Sequence, residues 1–207
     1  LNGQLPMRLY EFEDDYSWVE SAAESIARDC RPFLRQLGGN KLPLYRGINY
    51  SWAQHADNFI KLPCPVNRAP TGTPMNIHKL CDDWFLKYFN VRYRSNAVFC
   101  TGELDRASIY GPVFTVFPIG KFSFCFSPKV VDLLEAWDYP QEMMQRMSDD
   151  DASSLVNRTL TFSQYQSTNL QAAITSNCEV MIHCNESYLV NVSKNTKYVL
   201  NLLNHFL

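Results

Sequence analysis

The 207 residues, 46% of them hydrophobic, are enough to bury one substantial core and fall in the size range of a single domain. With 21 acidic residues against 19 basic ones the formal net charge is -2, which excludes a general electrostatic attraction to nucleic-acid backbones or anionic lipid. No apolar run approaches the ~20 residues of a membrane-crossing helix, so the chain reads as soluble.

Along the chain, Trp18, Ala22, Ala23, Ile26, Ala27, Phe33 and Leu37 recur at mostly helical spacing. They predict an amphipathic helix over 16–37, bent at Pro32 and stopped by Gly38 and Gly39. Residues 41–49 read as a strand in which Gly47 permits close backbone approach. Four prolines and a Thr-Gly-Thr predict an irregular loop over 61–77, followed by a helix over 78–89. A strand at 96–101, a short helix at 103–110 and strands at 113–118 and 122–126 come next. Residues 129–147 read as helical with a break at Pro140, and 148–154, with its three aspartates, as a solvated turn. A short helix at 169–174, a hairpin of 179–183 with 188–192 around Asn185, and an apolar tail at 198–206 complete the series. Helices and strands alternate irregularly, so the fold class is α+β: one domain over 1–207, with a helical part at 1–40 and the core at 41–207.

The seven cysteines form no CxxC pair and sit largely in apolar runs, so they read as reduced core residues. Asn-x-Ser/Thr triplets such as those at Asn157, Asn185 and Asn191 are read as chance in a chain with no signal peptide. The first residue is Leu1, which leaves room for a removed leader or a larger precursor. His55, His78, His183 and His205 lack ligand spacing and receive neither a metal nor a catalytic role. A metal hydrolase would rest only on Asp149 to Asp151, more simply a solvated turn. Phosphate loops, a dinucleotide fingerprint, GxSxG and HExxH are all missing.

Three segments remain: Leu44-Tyr45-Arg46-Gly47; Arg94 to Gly102 running into Ala107-Ser108-Ile109-Tyr110-Gly111; and Cys178-Glu179-Val180-Met181-Ile182-His183. In that order they resemble the ADP-ribosyltransferase family, over roughly residues 42–192. The chain is also similar to uncharacterised proteins of tailed bacteriophages. The family resemblance implies two small, mostly antiparallel sheets forming a cleft with flanking helices. It implies NAD as co-substrate, no metal, and transfer of ADP-ribose to a macromolecule, a host protein or else a nucleic-acid group. It would place the chain in the cytoplasm, that of the host for a phage protein, or with the virion.

Carried over by position, Arg46 matches the arginine that contacts the dinucleotide, a role suited to the guanidinium fork. Glu179 matches the late-strand glutamate, which accepts the ribose 2′-hydroxyl and so stabilises an oxocarbenium-like transition state. Thr101, with Ser95 as alternative, would steady the site; Gly47 and Phe99 would line it, and Tyr110 would stack on nicotinamide. Arg68 and Arg94 are candidates to complete an anion pocket, against the plainer reading of solvated loop arginines. The arginine-modifying branch carries a second acid where this chain has Asn177, which leaves arginine as acceptor in doubt. The competing class is a non-catalytic module of the same fold, a structural or interaction protein of a phage particle, in which Arg46 and Glu179 are dispensable.

Overall fold

The computed structural model describes residues 17–39, 42–49, 51, 57–192 and 199–201. The expected long first helix is two helices. In α1 (Ser17–Asp29), Val19, Ala22, Ala23, Ile26 and Ala27 share one buried face. Cys30 breaks the helix, and α2 (Arg31–Leu37) restarts with Pro32 in its first turn, where a missing N–H costs nothing. Gly38, at φ 59°, ends α2 by donating its N–H to the Arg35 carbonyl.

Among the described residues, seven strands form two antiparallel sheets: β1 (Tyr45–Gly47), β2 (Phe59–Pro63), β3 (Val98–Cys100), β4 (Val113–Pro118), β5 (Phe122–Phe126), β6 (Val180–Cys184) and β7 (Glu186–Asn191). The first sheet has the order β1-β4-β7-β2 and the second β3-β6-β5. A two-way backbone exchange between Tyr45 and Thr101, with N···O distances of 2.7 and 2.9 Å, ties the end of β1 to the end of β3 and joins the sheets at that corner. The architecture is therefore α+β, with two small antiparallel sheets and flanking helices.

The second sheet is covered on both faces, and side-chain alternation divides it between two cores. Val98, Cys100, Phe124, Phe126, Val180 and Ile182 point to the core that takes in α1 and α2. Cys125 and Met181, with Phe99 packed beside them, point to a second core. That second core is built with α3 (Met75–Phe89), the one-turn α4 (Tyr93–Asn96) and α7 (Asp149–Ser163). Between the sheets' elements lie α5 (Leu104–Ser108), α6 (Gln141–Gln145) and α8 (Leu170–Thr175).

Several expectations are corrected. The expected hairpin around Asn185 does not form: β6 pairs with β5 and β3 in one sheet, and β7 with β4 and β2 in the other. Residues 61–63 of the expected loop belong to β2 (Phe59–Pro63), because an edge strand tolerates Pro63 at its end. The expected helix over 129–147 is an irregular run holding a 3-10 turn at Leu133–Ala136, where the Asp132 side chain accepts the Leu134 N–H, and α6, which starts after Pro140. Residues 148–154 are no turn: Ser148 accepts the Asp151 N–H and caps α7, and Asp149, Asp150 and Asp151 lie at the positive end of its dipole. Ala152, Leu155, Val156 and Leu160 then bury one face of a full helix. Of the apolar tail, residues 199–201 are helical and the rest lies outside the described residues. All seven cysteines are buried with free thiols. Among the described residues no helix is long and apolar enough to cross a membrane.

Candidate active site

A cavity of about 430 Å³, within the usual range for small-molecule sites, opens at the corner where β1 meets β3. Strand β1 supplies Arg46 and Gly47, β3 and its extension supply Phe99 and Thr101, and α5 with the following turn supplies Ala107 and Tyr110. Glu179, just before β6, lies in the same wall, so Arg46, Gly47, Phe99, Thr101, Tyr110 and Glu179 line one space. Arg68, Arg94, Asp132 and His78 line it too.

Two glycines set this corner by what they lack. A Cβ on Gly47 would lie 2.0 Å from the Ala107 carbonyl oxygen, so only glycine lets β1 run against α5. A Cβ on Gly102 would lie 1.8 Å from the Ile174 carbonyl oxygen, which fixes the path of the chain leaving β3 toward α5. Ala107, 2% exposed, completes the close approach.

Glu179 and Arg94 form an ion pair of 2.8 Å between Oε1 and Nη1, with side chains 12% and 8% exposed. Burial pushes the Glu179 carboxyl above its ordinary range, while Arg94 and Arg68 pull the other way. Burial also works against the Arg94 charge, but Glu179 and further acidic groups outweigh it and raise its affinity for the proton. Among the described residues no donor engages the other carboxylate oxygen, Oε2. A fixed, water-poor carboxylate with one free edge is suited to stabilise positive charge that develops next to it.

Arg94 is held from behind. Asp82, 2% exposed on α3, accepts the backbone N–H groups of Arg94 and Ser95 through Oδ1, at 2.9 and 3.2 Å. The Ser95 hydroxyl donates to Asp82 Oδ2 and meets His78 Nε2 at 2.9 Å. Burial, followed by the Arg94 and Arg68 charges, holds His78 below its ordinary value despite Asp82. Ser95 is thus part of this buried support and does not stand in for Thr101. Thr101 donates to the Asn177 carbonyl and accepts from the Glu103 N–H, bracing the site's backbone.

Four arginines line the cavity, Arg46, Arg68, Arg94 and Arg106. Arg68 donates to the Arg94 carbonyl at 2.9 Å and lies over the Phe99 ring, 3.8 Å from its centroid; Arg94 lies 4.4 Å from the same centroid. Phe99 therefore anchors two arginines. Burial, then the Arg94 and Arg46 charges, push Arg68 down to about 10, which leaves it charged at neutral pH. Among the described residues no carboxylate lies within ion-pair distance of Arg46 or Arg68. Unpaired cations at a cavity wall are suited to hold an anionic ligand such as a diphosphate.

Tyr110, 57% exposed, stands at the rim and donates its hydroxyl to Asp132 Oδ2 at 2.9 Å. Asn177, at φ 58°, is exposed, and only its carbonyl is engaged by the site. His183 turns away from the cavity to bond the Asn96 carbonyl, while His55 and His205 lie outside the described residues. Among the described residues no group of three or more His, Cys, Asp or Glu is placed to hold a metal ion.

No protein-family model, no curated protein and no solved structure matches this chain.

Proposed function

We propose that this chain is an NAD-dependent ADP-ribosyltransferase, with the two sheets arranged as in that family. The observation that carries the reading is the convergence of three sequence segments, carrying Arg46, Thr101 and Glu179, on one cavity that also holds unpaired cations and a buried carboxylate. In this reading Arg46 and Arg68 bind the dinucleotide's diphosphate, for which their charge and planar forks are suited. Tyr110 offers an aromatic face at the rim for the nicotinamide ring. Glu179, turned by Arg94, accepts the ribose 2′-hydroxyl through its free edge and stabilises the charge that builds as the bond to nicotinamide lengthens. Thr101 and Gly47 hold the backbone on which Arg46 and Glu179 depend.

The acceptor is a macromolecule, a host protein if the chain serves a phage, and the site of action is then the host cytoplasm. The reading is tested by titrating NAD into the purified protein and into Arg46→Ala, with folding checked by circular dichroism. Saturable binding to the wild type, weakened about tenfold or more in Arg46→Ala, is the expected result. Absence of NAD binding to folded wild-type protein would remove it.

A further inference from the structure

The cavity is richer in positive charge than a dinucleotide's diphosphate requires. Four arginines line it against two carboxylates, Glu179 and Asp132, in a chain whose formal net charge is -2. Arg94 is committed to Glu179, and Arg68 is stacked on Phe99 and bonded to the Arg94 carbonyl. Arg106, on α5, has no such commitment. Its buried Nε makes no hydrogen bond, and it comes only within 3.5 Å of the half-exposed Glu103 carboxylate. A buried donor left in this way is costly unless a ligand engages it. Its neighbour Ala107 is where α5 presses on Gly47, and Tyr110 follows about one helical turn later. Arg106 therefore belongs to the end of the cavity from which nicotinamide leaves in the reading above.

The lining acids are already engaged: Glu179 is paired with Arg94, and Asp132 accepts the Tyr110 hydroxyl and the Leu134 N–H. A nucleophile that is an anion from the start needs no base to deprotonate it. A phosphomonoester is one, since its second proton leaves at about pH 6. We propose that the acceptor at this site is a phosphomonoester carried by a protein side chain and held by Arg106. The proposal rests on the ADP-ribosyltransferase reading. As the bond between the ribose carbon and nicotinamide breaks, its electron pair leaves with nicotinamide. A phosphate oxygen supplies the pair for a new carbon–oxygen bond to the ribose, and no proton changes hands. The phosphate falls from two negative charges to one as the nicotinamide ring loses its positive charge. A guanidinium is the better partner for phosphate oxygens because its N–H groups form a planar fork. With the chain's net charge at -2, positive potential is confined to the cavity, which suits a single phosphate on a protein over a nucleic-acid backbone.

The test incubates the protein with NAD and one of three probes: a phosphoserine peptide, the same peptide with serine, or a 5′-phosphorylated oligonucleotide. Mass spectrometry follows ADP-ribosyl transfer while nicotinamide release is measured in the same samples, for wild type, Arg106→Gln and Arg106→Lys. The expected result is a wild type that modifies the phosphoserine peptide and leaves the serine peptide untouched. In Arg106→Gln the ratio of transfer to hydrolysis should fall about tenfold or more, the scale of a lost charged hydrogen bond, and Arg106→Lys should recover part of it. Equal modification of the two peptides overturns the proposal, as does a ratio in Arg106→Gln that stays at the wild-type value. Transfer to the oligonucleotide in preference to the phosphopeptide overturns it too, and so does nicotinamide release with no transfer to any probe. A wild type that neither binds NAD nor releases nicotinamide defeats the underlying reading, a result distinct from all of these.

Discussion

Arg94 reaches across from α4 to the start of β6 and donates to Glu179 at 2.8 Å, with both side chains nearly excluded from water. Breaking such a pair from one side strands a charge in a poor solvent. Arg94→Met is expected to cost about 3–5 kcal/mol in denaturant unfolding, and joining it to Glu179→Met should recover much of that loss. A single variant as stable as wild type would show that the pair is solvated in solution. The pH dependence has a defined sign. Because Glu179 binds its proton more tightly in the folded state than the ordinary 4.5, stability falls as pH rises from 4.5 through the raised value. Glu179→Gln should lack that decline.

His78 titrates in the opposite sense. Burial holds its folded value below the ordinary 6.5, so below 6.5 the unfolded chain takes up a proton that the folded chain resists. Stability should therefore drop as pH falls from 6.5 toward the lowered value, and His78→Gln should flatten that part of the profile. Denaturant midpoints measured between pH 5 and 7 separate the two effects, since each variant removes one. A His78→Gln profile that keeps the wild-type slope would contradict the buried, neutral imidazole bonded to Ser95.

Gly47 has no room for a methyl group. The Ala107 carbonyl 2.0 Å from its would-be Cβ is backbone and cannot swing aside, so Gly47→Ala should destabilise the fold by about 1–3 kcal/mol. It should also separate β1 from α5 and with it Arg46 from the cavity. Thermal unfolding and NAD titration on the same sample check both effects, and a variant with unchanged values in each would show that β1 is not pressed on α5.

Arg68 combines charge with stacking on Phe99 and a hydrogen bond to Arg94. Arg68→Lys keeps the charge but loses the planar contacts, so it should bind ADP-ribose more weakly than wild type, by about tenfold, and hold it better than Arg68→Ala. Equal affinity of all three forms, read by calorimetry, would remove Arg68 from the anion site.

Local signals made part of this legible. The Tyr-Arg-Gly run is a strand because Gly47 is where a helix crosses it, and Glu179 precedes a run whose Val180, Met181 and Ile182 are all fully buried. The support of the site was not legible, because it is assembled from distant elements. Arg94 acquires meaning only when α4 is carried to β6, and Asp82 and His78 look like ordinary residues of an amphipathic helix until Ser95 is placed beside them. Asp132 lies in a stretch whose composition predicts a helix broken at Pro140, where its role as a cap with a second oxygen free for Tyr110 could not arise. The start of α7 is written in the sequence. Ser148 three residues before Asp151 is a helix-start signature, and the apolar positions after it keep helical spacing.

The most direct test of the account is nicotinamide release from NAD by wild-type protein, compared with a folded Glu179→Gln form in which the Arg94 hydrogen bond has an acceptor but the charge is gone. The expected result is release by the wild type, lowered by two to three orders of magnitude, about 10²–10³-fold, in the variant. Equal rates in the two forms, or no release from a wild type with a well-formed fold, would contradict an enzyme built around Glu179.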